Sequence, residues 1–254
     1  MKKLLKQLLK EDILDILPWL FIPLIGVFAG LSLVKVTGFE AFYLITVLCV
    51  TVLMLGPLIA LIILAGNDYN RFYGKYSALY STYPLSSNKV TLVRLLNYTI
   101  LGIFTGLTFI MNMFISLPTD LSLGESFREI SRLLSNLTMN EYLQISKLIG
   151  TFLGLGLMLA LTLMAANSIG NSYYFKKLGK LGPVLVGVVL VALENFIQIK
   201  VLAKFAVDRT ILAKVNMTIN FFETNYIFVA VVILELVILY LATNYFHEKK
   251  LSVA

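Results

Sequence analysis

The sequence predicts an all-α integral membrane protein with six transmembrane helices. Three observations carry that reading. Of the 254 residues, 59% are hydrophobic and only 14% are charged, where a soluble domain is about a quarter charged. Mean hydropathy is +0.87. The apolar residues also gather into six runs, at about 16–34, 41–65, 95–117, 148–169, 183–201 and 226–246, each of 19 to 25 residues. A helix needs about 20 residues to cross the hydrocarbon. Little of the chain lies outside these runs, so residues 1–254 are expected to form a single transmembrane domain.

Residues 1–15, MKKLLKQLLKEDILD, are amphipathic. Leu4, Leu5, Leu8, Leu9 and Ile13 share one side, with Lys3, Lys6, Lys10 and Asp12 largely elsewhere. This pattern predicts a short helix lying in the membrane interface. The apolar run that follows is long and has no small-residue cleavage site, which argues against a signal peptide. Pro18 and Pro23 predict an irregular entry to the first span. Gly26 and Gly30, four residues apart, permit close helix contact. In the second span, Gly56 and Pro57 predict a bend. The third repeats the glycine pair at Gly102 and Gly106 and carries Asn97 and Asn112.

Residues 118–146 are acidic and basic by turns, and SFREISRLLSNL within them has the spacing of a short surface helix. The fourth span ends in the basic loop NSYYFKKLGKLG, which contains Lys177. The fifth holds Glu194 and Asn195, and the sixth holds Glu235. Residues 202–225 are mixed, and the tail reads HEKKLSVA.

The longest polar interruption in the first half is residues 67–94. Tyr69, Phe72, Tyr73, Tyr76, Tyr80 and Tyr83 recur there at steps of three and four, the spacing of one helix face. Pro84 ends the pattern. An aromatic stripe of this kind fits an interfacial belt or a helix docked in a partner groove.

With the N-terminus inside, inner segments hold thirteen basic residues and outer segments eight. The positive-inside rule favours that orientation, both termini cytoplasmic, with residues 67–94 on the inner side. The basic residues flank spans, where anionic headgroups attract them, and form no soluble stripe for nucleic acid.

Catalytic motifs are missing. No G-x-x-x-x-G-K-[S/T] loop occurs, so this chain is not expected to hydrolyse ATP or to bind a cofactor or metal itself. Cys49 is the lone cysteine and reads as an apolar filler. His247 is the lone histidine and reads as an interfacial tail residue. The membrane carboxylates Glu194 and Glu235, with Asn195 and Asn112, are candidates for a substrate path or a proton-linked carrier site, or for polar helix packing.

Three stretches resemble a known family. LYSTYPLSSNKVTLVRLLNY (79–98) is similar to a helix, a "tLP(V/L)S" turn and a basic residue leading into span three; Tyr83, Pro84, Leu85 and Ser86 occupy the turn and Arg94 the basic position. MAANSIGNSYYFKKLGKLGPVLVGVVL (164–190) resembles the end of span four and the basic loop after it. LVILYLATNYFHEKKLSVA (236–254) resembles an aromatic last span with a lysine pair; Lys249, Lys250 and Leu251 match, while Ser252, Val253 and Ala254 depart. The chain thus resembles the short six-span ABC-2 type permeases (type-2 ABC exporters) of low-GC Gram-positive bacteria. The resemblance implies a plasma-membrane exporter subunit for hydrophobic or amphipathic peptides, antibiotics or similar compounds. It implies a second permease copy or homologue, and a separate cytoplasmic ATPase that binds ATP and Mg. It makes residues 1–15 an elbow helix and residues 68–82 a coupling helix, with Tyr69, Phe72, Tyr73, Tyr76, Tyr80, Pro84 and Lys177 at the ATPase. A carrier driven by protons through Glu194 and Glu235, and a non-transporting scaffold or immunity protein, are the alternatives.

Overall fold

The computed structural model describes residues 1–116, 128, 132, 135, 138–205 and 226–251. Among these there are helices and turns and no strand. The helices are α1 (Lys2–Thr37), α2 (Phe42–Phe72), α3 (Ser77–Ser81), α4 (Ser87–Ser116), α5 (Met139–Gly170), α6 (Leu181–Phe205) and α7 (Tyr226–Leu251), with a 3-10 turn at Tyr173–Leu178. Six of them are long and apolar enough to cross a membrane. Of the surface helix expected in residues 126–137 only Arg128, Arg132 and Ser135 are described, each helical, and of the mixed segment 202–225 only 202–205, which belong to α6; the rest lies outside the described residues.

Contacts divide the chain into two compact units. One comprises Lys2–Asn67 and Leu96–Leu143; the other comprises Met1, Asp68–Leu95 and Gln144–Ala254. α2, α4 and α5 each contribute to both.

In the first unit, α1 runs unbroken from Lys2 to Thr37. Its 36 residues span about 54 Å at 1.5 Å each. The interfacial segment expected at 1–15 is therefore continuous with the first span, and neither Pro18 nor Pro23 interrupts the helix. α1 ends at Gly38, whose φ of +66° suits a residue without Cβ and whose N–H bonds the Val34 carbonyl at 2.8 Å.

The buried stripe of α1 is Leu4, Leu8, Asp12, Ile16, Leu20, Pro23, Val27 and Gly30. Gly26 and Gly30 meet α2 as their spacing predicts: a Cβ on either would stand 2.4 Å from Cys49 Sγ or Thr46 Oγ1. Gly102 and Gly106 on α4 have nothing within 4 Å of such an atom. Asp12 departs from the expected polar side. It is fully buried, and it accepts from Asn67 Nδ2 at 2.8 Å and from Asn97 Nδ2 at 2.6 Å. The carboxylate is tolerated because two amide donors replace its water.

In the second unit, Leu161 and Ala165 of α5 and Leu239 of α7 form a core cluster, with Leu95, Leu190 and Tyr240 against it. α5 and α6 approach through glycine: a Cβ on Gly170 would lie 2.4 Å from Pro183 N. Ser87, at the start of α4, donates to Asn244 of α7 at 3.0 Å, and Tyr240 donates to Asn88.

Candidate functional site

The polar stretch after span two is more helical than its composition suggests. α2 continues through it to Phe72. The N–H groups of Tyr73 and Gly74 both reach the Tyr69 carbonyl at 2.8 Å, and Tyr76 N–H reaches the Asn70 carbonyl at 2.9 Å, closing the helix. A Cβ on Gly74 would sit 3.0 Å from Asn70 Cα, so this tight closure favours glycine. Only then does α3 begin, five residues long. The single coupling helix expected over 68–82 is thus two pieces joined by a turn. The three- and four-residue spacing of the aromatics carries across the break, but their shared face does not.

The aromatics divide accordingly. Phe72 and Tyr80 are buried, with ring centroids 5.5 Å apart. Tyr80 stacks on Tyr83 at 6.2 Å. Tyr69 is half-buried, and Pro84 is exposed in the link to α4. Tyr76 is 47% exposed and Leu79 57% exposed. Lys177 is exposed in the 3-10 turn.

Beneath this segment lies a buried polar cluster. Arg94 grips Asp68 bidentately, Nε to Oδ1 at 2.6 Å and Nη2 to Oδ2 at 2.5 Å. Asp68 Oδ2 also accepts from Asn167 Nδ2 at 3.0 Å. The guanidinium lies over the Phe72 ring at 4.9 Å and the Tyr73 ring at 5.5 Å. Arg94 Nη1 donates to the Tyr73 hydroxyl at 3.2 Å. That hydroxyl also lies 2.6 Å from Ser168 Oγ and 3.1 Å from His247 Nδ1. Arginine suits the position because its planar fork matches a carboxylate and its face stacks on rings.

Tyr73 is half-buried as a residue, but burial of its hydroxyl end pushes the phenol pKa up, against the opposing pull of Arg94. It therefore serves as a neutral hydroxyl. His247 is a correction: it is 3% exposed, not an interfacial tail residue, with its ring edge-on to Phe72 and Tyr73 at 5.7 and 5.8 Å. α2, α4, α5 and α7 are all fastened at this point. No family model, curated protein or solved structure matches the chain.

The membrane carboxylates form a separate group. Glu194 Oε1 lies 2.7 Å from Thr162 Oγ1 of α5. Glu235 Oε2 accepts from Gln198 Nε2 at 3.2 Å. Asn195 does not join them; it is exposed, and its amide returns to the Val191 carbonyl of its own helix at 2.7 Å. Asn112 lies in α4, and its side chain lies outside the described residues. No group of three or more His, Cys, Asp and Glu among the described residues could hold a metal.

Sequence reasoning named Arg94 only as the basic residue leading into span three, and missed Asp68, Asn167, Ser168 and His247 as its partners or neighbours. A signal existed. Leu53, Gly56, Ala60 and Leu64 are buried at steps of three and four along α2, and the next step is Asp68. On α1 the same step from Leu4 and Leu8 reaches Asp12.

Proposed function

We propose that this chain is the transmembrane subunit of an ATP-driven exporter, in which the segment around α3 receives force from a separate ATPase. One observation supports the reading above the others. Tyr76 at the start of α3 and Leu79 on it stand exposed, and Tyr80 of α3 packs against Phe72, the ring that Arg94 covers. A surface helix would transmit displacement only if it were tied to the spans behind it, and Phe72, Tyr73 and Arg94 supply such ties here. Closure of the ATPase would press on α3, and α2 and α4 would follow as one lever. In this reading both termini and α3 face the cytoplasm, the start of α1 carries the first span on past the inner surface, and two permease chains flank the path of a hydrophobic or amphipathic substrate across the bacterial plasma membrane.

The test is co-purification of an ATPase with the tagged chain from its native membrane. Tyr76→Ala combined with Leu79→Ala should leave the permease folded and remove the ATPase. A complex that persists with unchanged ATPase stimulation by substrate rules out docking at α3. Tyr73→Ala serves as a folding control, because its hydroxyl lies inside the cluster.

A further inference from the structure

Away from the α3 segment, α5, α6 and α7 bring Glu194 and Glu235 into apolar surroundings with neutral partners. Thr162 Oγ1 lies 2.7 Å from Glu194 Oε1 and 2.8 Å from the Met158 carbonyl oxygen. A threonine hydroxyl has one proton and cannot donate to both. If it donates to Met158, the contact with Glu194 requires a proton on the carboxyl. If it donates to Glu194, the contact serves a carboxylate, and the Met158 carbonyl keeps its helix bond. The same heavy-atom positions fit both states, with only a rotation of the hydroxyl between them.

Glu235 supplies an independent observation. It is 8% exposed, and its buried Oε1 has no hydrogen-bond partner among the described residues. Its other oxygen is held by Gln198, one turn along α6 from Glu194. Among the described residues no basic side chain meets either carboxylate. Lys200 of α6 lies over the Phe196 ring at 5.5 Å. From α5, Thr162 meets Glu194 and Met158 meets Gln198. Two ionised carboxylates with neutral partners alone are strongly disfavoured in such surroundings.

The geometry points to a proton-binding site in which Glu194 and Glu235 together hold one exchangeable proton, with Thr162 switching between acceptor and donor as that proton arrives and leaves. The proton comes from water and returns to it, and no other bond changes. The site is independent of the exporter reading and of what energises transport.

The test is infrared difference spectroscopy on the full-length chain in lipid vesicles, titrated between neutral and alkaline pH. A protonated-carboxyl band should be present at neutral pH and disappear on the alkaline side. Glu194→Gln or Glu235→Gln should abolish it. Thr162→Val retains both acids and should shift the band, because the hydroxyl that accepts from the carboxyl is gone. A spectrum with no such band, or a band unmoved by all three changes, overturns the proposal. So does loss of the band on adding sodium at constant pH, which would make a metal cation the ligand.

Discussion

Arg94→Met gives the sharpest test of the cluster beneath α3. The change keeps an unbranched apolar stem but removes the guanidinium that binds both oxygens of Asp68. Asp68 is 4% exposed and would keep, among the described residues, one donor, the Asn167 amide at 3.0 Å. Breaking a buried pair from one side costs about 3–5 kcal/mol, since a charge is stranded without its partner. At about 2–4 °C per kcal/mol for a chain of this size, the melting temperature should fall by roughly 6–20 °C. The assay is thermal unfolding of the detergent-solubilised chain near neutral pH. The companion variant, Arg94→Met with Asp68→Asn, removes both charges and should recover most of the loss, because a neutral pair of similar volume is often tolerated. High salt should change the wild-type melting temperature little, since buried pairs are poorly screened. A single variant that melts like wild type, or a double variant no better than the single, would refute the argument that the pair anchors these helices.

Two more outcomes follow from local geometry. Gly170→Ala places a Cβ 2.4 Å from Pro183 N and 2.5 Å from Pro183 Cα, backbone atoms that cannot swing aside, and should cost about 1–3 kcal/mol; Gly102→Ala, which meets nothing within 4 Å, should not lower the melting temperature. At the start of α5, Glu141 accepts from Thr138 N at 2.6 Å and from Thr138 Oγ1 at 2.8 Å, a capping box. The backbone donor holds its pKa below the ordinary carboxylate value, so the support it gives is present at neutral pH and lost as pH falls through that lowered value. Hydrogen exchange at the Thr138 amide should accelerate, relative to the intrinsic rate, on acidification in the wild type, and Glu141→Gln should flatten that dependence.

The spans were legible because burial in lipid needs long apolar runs, and each of the six expected runs lies on a helix for all or most of its length. Their lengths were less legible. α2 reaches Phe72, beyond the run expected at 41–65, and α4 starts at Ser87, before the run expected at 95–117. Backbone hydrogen bonding does not stop where hydropathy does. Charge misled in the same direction. Asp12, Asp68, Arg94 and His247 read as surface residues, yet each is buried with partners distant in sequence. Composition records a side chain's hydration cost but not which donor will later replace its water. The Gly26 and Gly30 contact was legible because close approach needs small residues on one face. The α3 segment was half legible: its aromatics do not share one face but divide into Phe72 and Tyr80, which are buried, and Tyr76, which is exposed.

The partners of Asp12 also bear on how the chain is made. Its carboxylate is satisfied by Asn67, 55 residues later, and by Asn97, 85 residues later. At about 5–20 residues per second, a ribosome needs roughly 4–17 s to reach the second. Until then the nascent carboxylate lacks the Asn97 donor. Full hydrogen bonding of Asp12 therefore waits on α4, a helix made well after its own.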